Sequence, residues 1–78
     1  MKTAYLITKE DCPFCVKAKG FLEGLGVPYQ TKVVGQDVGW SEVQEKLPGV
    51  KTVPQIWIGD EYVGGYDNLT EWVLTNEH

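Results

Sequence analysis

The spacing of apolar residues changes repeatedly along this chain, and each change marks a new element. Residues 3–8 carry Tyr5, Leu6 and Ile7 in one apolar run of β-formers, which predicts a strand covered on both faces. Thr8 to Asp11 is polar. From Phe14 the period lengthens: Phe14, Ala18, Phe21, Leu22 and Leu25 recur at three- and four-residue steps, the stripe of an amphipathic helix. Pro13 suits its first position, where a missing N–H is harmless and φ is already helical. Gly26 is a natural C-cap, and Pro28 prevents continuation. Residues 28–34 read as a second strand, so strand, helix and strand predict a right-handed parallel unit.

Gly35 to Gly39 is a loop. Trp40, Val43 and Leu47 then mark a short second helix that Pro48-Gly49 stops. Residues 54–58 predict a third strand. Gly59-Asp60 has turn chemistry, and Glu61 to Val63 predicts a fourth strand pairing antiparallel with the third. Gly64-Gly65 breaks that strand. The last helix is expected from Asp67 or Asn68 to about Asn76, burying Leu69, Trp72 and Val73, with Asn68 and Glu71 in the form of a capping box. The order β-α-β-α-β-β-α predicts an α/β protein with the minimal thioredoxin-like fold, a four-stranded mixed sheet with helices on both faces. Residues 1–78 are read as a single domain.

Composition narrows the function classes. Of the 78 residues, 42% are hydrophobic and 23% charged, ordinary for a globular protein. The longest apolar runs are a few residues, too short for a membrane span. The N-terminal run is also too short for a signal peptide, so a cytoplasmic or similarly reducing location is expected (a host cytoplasm for a viral protein). Residues 1–34 carry five Lys against three acids, a net +2, and residues 35–78 carry two Lys against eight acids, a net −6. There is no arginine and no basic stripe, so no nucleic-acid partner is expected.

The candidate chemistry lies in three places. Cys12-Pro13-Phe14-Cys15 holds both cysteines. A Cys-x-x-Cys that opens a helix inside a strand–helix–strand unit has the form of a redox dithiol. The alternatives are a structural disulfide, inert buried thiols or half of a metal site. The first restrains only a four-residue loop, and the last has only His78 as a further strong ligand, so no metal is expected. The thiolate is the nucleophile, and helix-end N–H groups, with Lys9 second, should lower the pKa of Cys12, against Glu10 and Asp11. Cys15, one turn inside, is expected to resolve.

Thr52-Val53-Pro54 is the second place. A cis bond before Pro54 would leave the Val53 backbone free to pair with an extended ligand, although a trans proline opening a strand is the commoner case. In the third, Gly64-Gly65-Tyr66-Asp67-Asn68, two glycines lead into a helix start able to receive a carboxylate, or simply into an ordinary N-cap.

These three blocks resemble, in order and spacing, the signatures of the glutaredoxin family: a Cys-Pro-Tyr-Cys site, a Thr-Val-Pro turn and a Gly-Gly-x-Asp-Asp loop. The likeness spans essentially the whole chain. It implies a thioredoxin-like fold with Pro54 cis, and a glutathione-dependent thiol–disulfide oxidoreductase with glutathione as reductant. Cys12 would form the mixed disulfide, and Cys15 or a second glutathione would release it. Glutathione would meet Lys9, Phe14, Thr52, Val53, Pro54, Gly65, Tyr66, Asp67 and Asn68. Val53 would pair with its cysteinyl backbone, the start of the last helix would take its γ-glutamyl end, and Lys9 would attract its glycine carboxylate.

Partners implied by the resemblance are glutathione and disulfide-containing proteins, of which ribonucleotide reductase is a common family client, with the chain acting as a monomer. Phe14 departs from the family Tyr and Asn68 from its second Asp. Gly39-Trp40-Ser41-Glu42 lacks the usual Arg or Gln donor, so either glutathione is expected to bind more weakly than is typical of the family or Lys51 or Gln44 substitutes. Two other readings are a small redoxin served by thioredoxin reductase and a glutathione-ligated iron–sulfur carrier. Gly65 to Asn68 argues against the first. Pro13 and the second thiol argue against the second.

Overall fold

The sheet assembles on β1 (Ala4–Thr8), whose sequence places Leu6 on one face and Tyr5 and Ile7 on the other. The structure, a computed structural model, describes residues 2–76. His78 lies outside the described residues. The elements after β1 are α1 (Pro13–Gly24), β2 (Tyr29–Val33), α2 (Trp40–Lys46), β3 (Gln55–Ile58), β4 (Glu61–Gly64) and α3 (Tyr66–Asn76). Strand order is β2-β1-β3-β4. β1 runs parallel to β2 from Ala4↔Tyr29 to Thr8↔Val33 and antiparallel to β3 from Ala4↔Ile58 to Ile7↔Gln55. β3 and β4 form the predicted hairpin, Ile58 opposite Glu61, with a register shift between Ile56 and Trp57. This is the mixed thioredoxin-like sheet that the element order predicts.

Helices cover both faces. Ala18 and Leu22 of α1 and Leu69 and Val73 of α3 pack on Ala4, Leu6, Ile56 and Ile58. Val43 of α2 packs with Ile7 and Val34 on the other face, against Tyr5, Trp40, Val53 and Trp57. Near-complete burial of Leu6, Leu22, Ile56 and Leu69 stabilises the fold by about 1.5–3 kcal/mol per side chain on transfer terms. Among the described residues, no helix is long and apolar enough to cross a membrane.

Several local expectations are corrected. The α1 stripe does not bury its ends. Phe14 is 52% exposed and has the Tyr66 ring as neighbour, with centroids 6.2 Å apart. Leu25 falls on the C-cap and is exposed, and Val27 enters the core instead. Gly64 ends β4 instead of breaking it, at φ +119°, a conformation open to glycine. Trp72 is only partly buried. α3 begins at Tyr66, earlier than expected, and Asn68 is not its N-cap. The Gly65 carbonyl accepts the first helical bond from Leu69 N–H (2.9 Å), and Asn68 Oδ1 accepts from Gly65 N–H (3.2 Å). Asn68 is therefore the third-position member of a cap.

Candidate active site

Cys12 is the N-cap of α1. It is extended (φ −111°, ψ 100°), and its sulfur takes the place that a Ser or Asp oxygen usually fills, accepting from Cys15 N–H at 3.2 Å. The chain enters through Asp11 at φ +56°, a left-handed turn that Asp tolerates better than most residues. Pro13 occupies the first turn of α1, and no acidic residue lies in that turn. The local sequence thus delivers a sulfur to the open N–H end of a helix.

Cys12 and Cys15 are joined as a disulfide, with Cα atoms 5.2 Å apart. Cys12 is partly exposed, whereas Cys15 is 2% exposed, so only Cys12 is open to an incoming disulfide. The Val53–Pro54 bond is cis, as the resemblance implies and local sequence alone does not. Cys12 Sγ lies 3.8 Å from the Val53 carbonyl oxygen, which brings the second motif onto the first.

Eight of the predicted residues line one open cleft beside this sulfur: Phe14, Thr52, Val53, Pro54, Gly65, Tyr66, Asp67 and Asn68. Tyr66 stands between Phe14 and Phe21, whose centroids are 6.2 and 6.3 Å away. Gly65 lies close under the turn: a Cβ there would sit 3.7 Å from the Pro54 carbonyl oxygen. Lys9 is not in this cleft. It lines a second one with Glu10, Asp11, Cys12, Pro13, Cys15, Val16 and Lys19. Of the substitute donors, Gln44 gives its Nε2 to the Val50 carbonyl (3.1 Å), and Lys51 is exposed next to the turn. Among the described residues, no group of three His, Cys, Asp or Glu is arranged to hold a metal ion.

Residues 5–63 match the family model Glutaredoxin. The chain belongs to the glutaredoxin family. It is 38% identical over 69 residues to glutaredoxin 3 of Escherichia coli strain K12, covering 88% of this chain and 83% of that protein. It is 37% identical over 67 residues to the hybrid peroxiredoxin hyPrx5 of Haemophilus influenzae, covering 86% of this chain but spanning only 27% of that protein. Among solved structures, a buckwheat glutaredoxin–glutathione complex superposes with a TM-score of 0.79 at 27% identity, covering 95% of this chain and 70% of that one. Family membership and the paired Cys12 and Cys15 make this glutaredoxin a thiol–disulfide oxidoreductase.

Sequence reasoning passes over three side chains. Lys17 places its ammonium 5.1 Å from the centroid of the Phe14 ring. Gln55, 5% exposed, donates to the Thr52 carbonyl (2.9 Å) and Thr52 Oγ1 (3.4 Å). Tyr62 donates its hydroxyl to Gln55 Oε1. A signal for Gln55 exists in the sequence: one amide inside the apolar run Pro54-Gln55-Ile56-Trp57-Ile58 needs buried partners.

Proposed function

We propose that this glutaredoxin is glutathione-dependent, and that the cleft beside Cys12 holds the glutathionyl group during reduction of glutathione mixed disulfides and protein disulfides. The observation that carries this reading is the convergence of Phe14, Thr52–Pro54 and Gly65–Asn68 on one cleft next to the more exposed cysteine. Glutathione is an extended anionic peptide. Its cysteinyl backbone pairs with Val53. Its γ-glutamyl carboxylate meets the first-turn N–H groups of α3, which no carbonyl of the preceding turn can serve. Phe14 and Tyr66 form the apolar wall. Thr52, Pro54, Gly65, Asp67 and Asn68 complete the contacts, and Lys9 attracts the glycine carboxylate from the neighbouring cleft. The complexed buckwheat relative supports the same choice of ligand.

With a glutathione mixed disulfide, the Cys12 thiolate attacks the glutathionyl sulfur. The old S–S bond breaks and its electron pair leaves with the substrate thiolate, while Cys12 now carries glutathione. A second glutathione thiolate attacks the glutathione sulfur of that adduct, giving glutathione disulfide and the Cys12 thiolate. With a protein disulfide, Cys12 forms a mixed disulfide with one substrate sulfur. Cys15 then attacks Cys12, and the substrate leaves as a dithiol. The Cys12–Cys15 disulfide that remains is reduced by two glutathiones. The protein works as a monomer in a reducing cytoplasm, on disulfide-containing proteins of which ribonucleotide reductase is one candidate.

A coupled assay tests the reading. NADPH, glutathione reductase and glutathione should drive turnover, whereas NADPH with thioredoxin reductase should not. Turnover with thioredoxin reductase and none with glutathione would overturn it.

A further inference from the structure

We infer that Gln55 and Tyr62 are positioning residues that hold the Thr52–Val53–Pro54 turn from behind the cleft and so set its grip on the glutathionyl group. The inference rests on the glutathione reading for its consequence, but its structural part stands on its own contacts.

Gln55 opens β3 directly after the turn and lies opposite Ile7 of β1. Its side chain is buried, so each polar atom needs a partner. The amide nitrogen bonds Thr52 twice, at the carbonyl (2.9 Å) and at Oγ1 (3.4 Å). The amide oxygen receives the Tyr62 hydroxyl. A side-chain amide can rotate by half a turn at little steric cost, exchanging its donor and acceptor ends. Rotated here, it would set its oxygen against the Thr52 carbonyl. The Thr52 carbonyl, which can only accept, excludes this, and the Tyr62 hydroxyl donates to the oxygen end so selected. Tyr62 is fixed in turn by the hairpin, opposite Trp57 and with ring centroids 5.4 Å apart. A phenol is protonated at neutral pH, and partial burial moves the Tyr62 pKa further up.

Thr52, Val53 and Pro54 line the cleft, whereas Gln55 and Tyr62 do not. The pair therefore acts on the ligand only through the backbone of the turn. Loosening that turn weakens binding of the glutathionyl group and leaves the sulfur chemistry of Cys12 alone, so the effect falls on KM and not on kcat.

The test compares the full chain with Tyr62→Phe, Gln55→Leu and the double variant, using the glutathione–cysteine mixed disulfide as substrate. Tyr62→Phe removes one oxygen from a partly exposed ring and should fold normally. KM should rise about fivefold, the factor one neutral hydrogen bond commonly contributes, with kcat held within about twofold. Gln55→Leu should raise KM further, and adding Tyr62→Phe to it should change nothing more, because Tyr62 acts through Gln55. Without any substrate, amide nitrogen relaxation should show lower backbone order at Thr52 and Val53 in Tyr62→Phe than in the wild type. Unchanged order, or additive effects on KM, would overturn the inference. Lower order in a protein whose wild type shows no glutathione-dependent turnover would uphold the positioning of the turn and overturn the glutathione reading instead.

Discussion

Cys12 and Cys15 differ in surroundings far more than their three-residue spacing suggests. Cys12 caps a helix, lines the cleft that holds Lys9 and lies 3.8 Å from the Val53 carbonyl of the other, while Cys15 is closed in beneath it. Cys12→Ser is therefore expected to abolish turnover on every disulfide substrate, and turnover retained in a steady-state assay would remove its role as nucleophile. Lys9→Gln takes a cation from the cleft that contains Cys12. It should lower the thiolate fraction of Cys12 at a given pH and raise the KM for glutathione. An ultraviolet thiolate titration and a kinetic assay that both stay put would reduce Lys9 to a solvated charge. Asn68 already caps Gly65 through Oδ1. Asn68→Asp keeps that acceptor and adds a negative charge where the proposed ligand would set its γ-glutamyl amine, so the KM for the mixed disulfide should fall about threefold. The cysteines and the residue types of the three motifs are legible because each motif is local and demanded by its chemistry, whereas the cis bond before Pro54 enters only through the resemblance. Gln55 stands out as one amide in an apolar run, but its pairing with Tyr62 does not, because that bond crosses a hairpin and neither strand announces it alone.

Among the elements, the junction of β4 and α3 carries the most constraint. Gly64 has φ +119°, and a Cβ there would lie 2.9 Å from Asn68 Cγ. Gly64→Ala should cost about 1–3 kcal/mol in chemical denaturation, through backbone conformation and displacement of the Asn68 cap. A change below half a kcal/mol would show that the junction relaxes freely. The element order was readable from period alone, since each helix and strand carries its own spacing. Sequence alone sets the start of α3 too late, because Asn68 with Glu71 imitates a cap one turn downstream. The bond that decides the matter runs backwards, from Gly65 N–H to Asn68. Spacing puts Phe14 in the α1 stripe and the resemblance puts it against the ligand; it walls the cleft, because spacing alone cannot tell an apolar residue that faces the sheet from one that lines a cleft.

The whole molecule hangs on two small apolar clusters, one on each side of the sheet. A domain of this size has a total stability of only about 4–12 kcal/mol. Leu22 is fully buried where α1 meets the sheet, and Leu22→Ala should cost about 2–5 kcal/mol. A thermal melt that barely moves would contradict the packing described. The antiparallel pairing of β1 with β3 joins residues some fifty positions apart. No local period foretells it, yet it is what carries Thr52–Pro54 to Cys12.

Selection by Cys12 of the glutathionyl half of a mixed disulfide is decided by intact mass on Cys15→Ser. That variant cannot expel what Cys12 captures, so exposure to the glutathione–cysteine mixed disulfide should leave one glutathione on Cys12 and free cysteine in solution. Capture of the cysteine half, or an equal mixture of both adducts, would contradict it.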